Sequence, residues 1–242
     1  MTKTAIIIPA RFASTRLPGK PLIKVLGKPI IQWVFEKAKL AKLADEVIIA
    51  TDNDLVYEVA KTFTDNVEMT SENHKSGSDR IAEVAKRHED FEYIVNLQGD
   101  EPLIKPESID SIIDGLHKGA DISTLVRVLK DEKEINNPNL VKCVKDNNDF
   151  ALYFSRSKIP YERNLGEAEF YGHIGIYGYT RNALLSMTQN PQTMLEKSES
   201  LEQLRALGLG LKIKTYTVDF VPVGIDTPED LNEFEKIAQG LL

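Results

Sequence analysis

The first hundred residues alternate between short β-branched runs and stretches of helical periodicity, and this alternation restricts the chain to few folds. The runs are Thr4 to Ile8, Val47 to Ala50 and Tyr93 to Leu97, with helical spacing at Ile30 to Ala41, Leu55 to Phe63 and Asp79 to Arg87. Strand, crossover helix, strand predicts an α/β fold with a mostly parallel sheet flanked by helices. Each run closes on small or polar residues: Pro9-Ala10-Arg11, Thr51-Asp52-Asn53 and Gln98-Gly99-Asp100. Open α/β sheets bind ligands at the carboxyl ends of their strands, so these tripeptides are the positions to search.

Beyond Asp121 the pattern changes. Ile122 to Val128, Leu140 to Val144 and Ala151 to Ser155 read as strands, and Asp146-Asn147-Asn148-Asp149 reads as the turn joining the last two. Such a segment is a hairpin-rich insertion rather than another βαβ unit. Helical patterns return at Leu201 to Leu207 and Pro228 to Gln239, around a strand-like Lys212 to Val218. With no internal repeat and no low-complexity linker, the expectation is a single domain over 1–242, carrying an insertion lobe at about residues 130–175.

Charge is distributed unevenly. Lys3, Arg11, Arg16, Lys20, Lys24 and Lys28 all precede the first acidic residue, Glu36, which leaves 24 basic against 37 acidic residues for the rest of the chain. That balance argues against a broad nucleic-acid surface and for a small polyanion held locally. A lone cysteine, Cys143, excludes an internal disulfide framework and fits a reducing, cytoplasmic setting. The apolar run at Thr4 stops at Pro9, too short for a signal-peptide core, and no stretch approaches the roughly 20 apolar residues of a membrane helix.

Three segments hold candidate chemistry. Pro9-Ala10-Arg11-Phe12-Ala13-Ser14-Thr15-Arg16-Leu17-Pro18-Gly19-Lys20-Pro21 lies between a strand and a helix, and its amides, two Arg and one Lys suit a phosphate chain; a solvated basic loop is the competing reading. It is no Walker A loop, since position 14 is Ser and position 21 is Pro. Asp100 ends a strand as a hard oxygen donor suited to Mg²⁺, or belongs to a plain turn before Pro102; Gly99 would allow close approach to the backbone, and Glu101 reads as either solvated or ligating. In Asp226-Thr227-Pro228-Glu229-Asp230, Thr227 reads as an N-cap, Pro228 as the first helical residue and Asp230 as the capping-box partner. Asp226 then either complements the helix dipole or serves as a second carboxylate beside Asp100.

His74-Lys75-Ser76-Gly77-Ser78-Asp79-Arg80 opens a helix whose amides suit a base, ribose or anion, or simply make a Ser-type helix start. His88 and His117 sit among charged helical residues, whereas His173 lies in an apolar strand, where a satisfied, partly buried side chain is the commoner case. No G-x-S-x-G, H-E-x-x-H or C-x-x-C occurs.

Taken together, PARFASTRLPGKPL (Pro9 to Leu22), ATD (Ala50 to Asp52), HKSGSDRIAEV (His74 to Val84), VNLQGDEP (Val95 to Pro102), LYFSRSKIP (Leu152 to Pro160), GHIGIYGY (Gly172 to Tyr179), LEQLR (Leu201 to Arg205) and GIDTPEDL (Gly224 to Leu231) resemble the 3-deoxy-manno-octulosonate cytidylyltransferases, the CMP-Kdo synthetases of lipopolysaccharide assembly. The resemblance covers essentially the whole chain. It implies a Rossmann-like nucleotidyltransferase fold with a dimerising insertion, a homodimer, Mg²⁺ as cofactor, and CTP and Kdo as substrates. It places Pro9, Ala10, Arg11, Arg16, Lys20, His74, Ser76, Gly77 and Asp100 around CTP. Arg11, Lys20, Asp100 and Asp226 become catalytic, Asp100 and Asp226 as the metal ligands. Arg80, Gln98, Arg156, His173, Tyr177, Glu202 and Gln203 would line the sugar-acid pocket. Ser78, Asp79 and Gly172 depart from the Thr, Glu and basic residue common at those positions. Alternatives are the same reaction on 8-amino-Kdo or a sialic acid, although sialate enzymes tend to lack the STRLPGKPL run, and a non-catalytic nucleotide-binding protein.

Overall fold

The computed structural model describes residues 2–13, 17–221 and 224–240. The chain divides into two compact units, one of Met1–Asp110 with Pro222–Leu242, the other of Ser111–Val221.

In the first unit, β1 (Lys3–Ala10) leads through a loop and the short 3-10 helix Lys20–Leu22 to the two-residue strands β2 (Lys24–Val25) and β3 (Lys28–Pro29). α1 (Ile30–Ala38), β4 (Glu46–Thr51), α2 (Asp54–Lys61), β5 (Val67–Met69), α3 (Gly77–Arg87) and β6 (Phe91–Asn96) follow, and α4 (Pro106–His117) starts in this unit and ends in the second. Strands β6, β1, β4 and β5 are neighbours in that order and all parallel. Ala5, Ile6, Ile7 and Ile8 in β1 have no exposure, because helices cover both faces of a parallel sheet; the run is therefore continuously apolar rather than alternating. Helix starts follow local chemistry. The Asn53 side chain accepts from Leu55 N and Val56 N to start α2, and Ser76 with Asp79 forms a capping box at α3.

The second unit is built on β7 (Ile122–Leu129), α5 (Glu132–Asn136), the hairpin β8 (Lys142–Lys145) and β9 (Ala151–Ser155), the long β10 (Phe170–Thr180), α6 (Arg181–Gln189), α7 (Met194–Glu199), α8 (Gln203–Gly208) and β11 (Ile213–Val218). β7 pairs antiparallel with β10 and parallel with β11, while β8 pairs antiparallel with both β10 and β9. The expected turn at Asp146 to Asp149 joins β8 to β9: Asp146 N donates to Phe150 O at 2.8 Å, and Asp149 takes φ 59°, a conformation Asp tolerates better than most residues. Lobe residues 130–175 lie within this unit, together with strands and helices on either side.

The chain then returns to the first unit as α9 (Pro228–Gln239). Thr227 caps it, Pro228 occupies the first turn and Asp230 completes the capping box, as the sequence predicts. Phe234 of α9 is fully buried and packs edge-on against Trp33 of α1, ring centroids 5.6 Å apart.

Candidate functional site

Three segments of the first unit converge where β1 and β6 end. Gly19, at φ 68°, turns the chain into the 3-10 helix, and Gly19 N and Lys20 N donate to Phe12 O and Leu17 O, closing the loop that carries Lys20. Asp100 follows β6 through a turn in which Glu101 N donates to Gln98 O. The segment leading to α9 is fixed against that turn by Ile225 N, which donates to Asp100 O at 2.9 Å, and Ile225 has no exposure. Asp226 is thereby set beside Asp100, and Asp230 holds it there by accepting from Asp226 N and Thr227 N.

The two carboxylates meet on one cation. Lys20 Nζ lies 2.6 Å from Asp100 Oδ2 and 3.0 Å from Asp226 Oδ1. Burial pulls the lysine pKa down, but the charge of Asp100 and the hydrogen bonds to both carboxylates outweigh it, leaving Lys20 above the ordinary lysine value. Beside this group, burial first and the charge of Asp100 second push Glu101 up to about 8, so at neutral pH it is largely protonated and adds little negative charge.

Lys20, Asp100 and Asp226 border a cleft of about 400 Å³, lined also by Pro9, Ala10, Arg11, Gly77 and Gln98. Arg11 Nη2 donates to His74 O at 2.8 Å, which ties the end of β1 to the approach to α3. Neither His74 nor Ser76 lines the cleft. The His74 ring pairs with Glu83, and the Ser76 hydroxyl caps α3. Arg16 lies outside the described residues. Gly99 also lines the cleft, and a Cβ there would stand 3.0 Å from Pro9 O, so this turn packs against β1 only with a glycine.

Arg80 has no exposure; its guanidinium donates to Thr70 Oγ1 and Asp52 Oδ2, both at 2.5 Å. Sequence reasoning found the Ala50-Thr51-Asp52 run but not this pairing, which depends on where α3 crosses the end of β4. Gln98 and Arg80 belong to the first unit; Arg156, His173, Tyr177, Glu202 and Gln203 belong to the second.

Within the second unit, His173 and Tyr177 project from β10, their rings 5.2 Å apart, and Phe154 of β9 meets the imidazole edge-on at 5.1 Å. Burial pushes His173 down to about 3 and, with the charges of Tyr179 and Glu202 next, raises the Tyr177 phenol well above its usual range. Gln203 is buried at the start of α8. Arg156 is turned onto backbone carbonyls: Nε donates to Glu199 O at 2.7 Å and Nη1 to Pro138 O at 3.2 Å. Its own carbonyl accepts from the fully buried Lys142, whose ammonium also donates to Asn137 O and Leu140 O. Gly172 is buried against Leu129, and a Cβ there would stand 2.8 Å from Leu129 Cδ2, so the basic residue common at this position would require the Leu129 side chain to shift.

Thr124 and Lys142 were not visible as site residues in the sequence. Each reads as an ordinary strand position until the partner strand is known.

Asp100 and Asp226 suit a divalent ion in donor chemistry, because both offer hard oxygens to a single cation position already taken by an ammonium. Among the described residues no group of three or more His, Cys, Asp or Glu could hold a metal, so further ligands would come from substrate and water. No helix among the described residues is long and apolar enough to cross a membrane.

The chain matches the family described as cytidylyltransferase over residues 5–213. A 3-deoxy-manno-octulosonate cytidylyltransferase of Thermodesulfovibrio yellowstonii is 47% identical over 247 residues, covering 96% of this chain and 97% of the relative. The enzyme of the same name from Escherichia coli is 42% identical over 239 residues, covering 98% and 96%. A solved CMP:2-keto-3-deoxy-manno-octonic acid synthetase complexed with CTP is 40% identical, covers 100% of both chains and superposes with a TM-score of 0.95.

Proposed function

This chain belongs to the cytidylyltransferase family, and we propose that it transfers CMP from CTP to the anomeric hydroxyl of Kdo, giving CMP-Kdo and pyrophosphate. The observation that carries the reading is the Lys20 ammonium bracketed by Asp100 and Asp226 in a cleft bordered by Arg11. Cations and paired carboxylates at one strand-end cleft are what transfer from a nucleoside triphosphate needs.

The sugar hydroxyl attacks the α-phosphorus as pyrophosphate leaves in line, so the protein's work is to position groups and balance charge. Arg11 and Lys20 donate to phosphate oxygens and offset the charge that grows on the leaving group. The amide donors at the end of β1 and at Gly77, where α3 begins, suit the triphosphate. Asp100 and Asp226 would hold Mg²⁺, which supplies Lewis-acid stabilisation of phosphate charge when bound. Arg16, His74 and Ser76 remain proposed CTP neighbours from the resemblance. From the resemblance, Arg80, Gln98, Arg156, His173, Tyr177, Glu202 and Gln203 remain proposed for the sugar acid. We also propose a cytoplasmic homodimer, supported by the exposed Leu152, Tyr161 and Leu165 in the lobe at 130–175.

Pyrophosphate release tests the reading, run with CTP, Mg²⁺ and Kdo beside 8-amino-Kdo, N-acetylneuraminate and no acid, with Asp100→Ala as control. Kdo-dependent release lost in the variant supports it. Release with another acid alone moves the substrate, and no release with any acid overturns the activity.

A further inference from the structure

Strand β10 carries two more residues than its partner. Its register with β7 runs from Phe170↔Leu129 to Ile174↔Leu125 and resumes at Tyr177↔Thr124, so Gly175 and Ile176 form a bulge directly after Ile174, one residue beyond His173. Thr124 faces that bulge with no exposure of its own. Its Oγ1 lies 2.7 Å from Ile176 O, 3.2 Å from Ile174 O and 3.1 Å from His173 Nε2.

A threonine hydroxyl has one proton and two lone pairs. Carbonyl oxygens only accept, and the shortest of the three contacts is to Ile176 O, so the hydroxyl proton belongs to the carbonyls. The contact to His173 can then be made only if Nε2 carries a proton and donates it to Oγ1. A neutral imidazole has one N–H, and burial keeps this one neutral, its pKa pushed down to about 3. Nδ1 is therefore left as a bare acceptor. Phe154 at 5.1 Å and Tyr177 at 5.2 Å flank the ring.

We propose that Thr124 is a positioning residue that locks His173 in the Nε2–H tautomer, so that Nδ1 presents an acceptor to a hydroxyl of the sugar acid. This rests on the reading that His173 lines the sugar-acid pocket. It adds a direction to that reading: the site recognises a donor at this point, and an acid lacking that hydroxyl leaves the Nδ1 lone pair unmatched. The bulge and the tautomer are set by the same oxygen.

Two measurements test it. Long-range ¹H–¹⁵N spectra of protein labelled in histidine, with the His173 signals assigned through His173→Gln, should show the Nε2–H form in the wild type and in Thr124→Ser, and a shift toward Nδ1–H in Thr124→Val. In kinetics, Thr124→Val should raise KM for Kdo about tenfold, the scale of one hydrogen bond with its desolvation. KM for CTP should stay unchanged, and Thr124→Ser should restore the value for Kdo. An Nδ1–H wild type overturns the proposal, and so does a folded Thr124→Val with an unaltered tautomer and KM. If Thr124→Val does not fold, the wild-type spectrum and Thr124→Ser decide. His173→Gln separates the premise: an unchanged KM for Kdo removes His173 from the pocket, while a raised KM beside an unaffected Thr124→Val rejects only the role of Thr124.

Discussion

Replacing Lys20 by Met removes the ammonium from between Asp100 and Asp226 and keeps most of the stem. Two consequences of very different size are expected. In the free enzyme Lys20 Nζ stands 2.6 and 3.0 Å from the two carboxylates, but the Asp226 side chain is 40% exposed and water screens the pair. Contacts of that kind contribute about 1 kcal/mol or less, and the repulsion left between the carboxylates adds a comparable amount. For a chain of this length that corresponds to a fall in Tm of about 2–4 °C per kcal/mol. On the proposed mechanism the same ammonium would face charge developing on the leaving pyrophosphate, where one well-placed donor is worth about 2.7–4 kcal/mol, or 10²–10³ in kcat. The assay is kcat/KM from pyrophosphate release across a Mg²⁺ titration, beside a thermal melt of the same preparation. Expected are a loss of two to three decades, a small Tm change, and a half-saturating Mg²⁺ no higher than wild type, since Lys20 no longer competes for the carboxylates. A loss smaller than about tenfold removes Lys20 from the leaving group. A Tm drop beyond about 8 °C makes the defect structural and refutes the reasoning.

Glu196→Ala strands the buried Arg205 guanidinium, which Glu196 meets through Nε at 2.8 Å and Nη2 at 2.5 Å, and is expected to cost about 3–5 kcal/mol by denaturant midpoint. Burial raises the Glu196 pKa, but Arg205 and its other hydrogen bonds bring it below 4.5 on balance, so its stabilisation is present above pH 4.5 and fades as pH falls through the folded value. An identical acid slope in wild type and Glu196→Ala would contradict that assignment. His173 has a folded pKa of about 3 against 6.5 unfolded; the stability tied to it is full above pH 6.5 and is lost as pH falls from 6.5 toward 3. His173→Gln should flatten that part of the stability curve, by up to about 1.4 kcal/mol per pH unit, and no flattening would mean the ring is solvated.

The sequence was most informative where the physics is local. Continuous apolar runs at Ile6 to Ile8 and Val47 to Ala50 marked parallel strands because both faces are covered, and Thr227-Pro228-Asp230 marked a helix start whose geometry needs no tertiary partner. Asp226 could be singled out because the cap was already filled, yet its pairing with Lys20 depends on the hydrogen bond from Ile225 to Asp100, between residues far apart in the chain. Strand β5 was missed because three residues, Val67 to Met69, carry too short a pattern. The resemblance alone placed Arg80 and Arg156 in the sugar-acid pocket. Only the fold shows that Asp52 and Thr70 hold the first and backbone carbonyls the second. Thr124 had no signal at all, since its role exists only through the offset between two strands.

Because the unit that holds Lys20 and Asp100 is interrupted by Ser111–Val221 before the chain returns with Asp226, the second carboxylate is synthesised last. At about 5–20 residues per second the ribosome needs roughly 5 to 25 s to make the intervening unit. During that interval a nascent chain has Lys20 and Asp100 but not Asp226, so Lys20 has Asp100 alone to pair with. On the reading proposed above, that chain would lack one of its two metal-binding carboxylates until both units had been made.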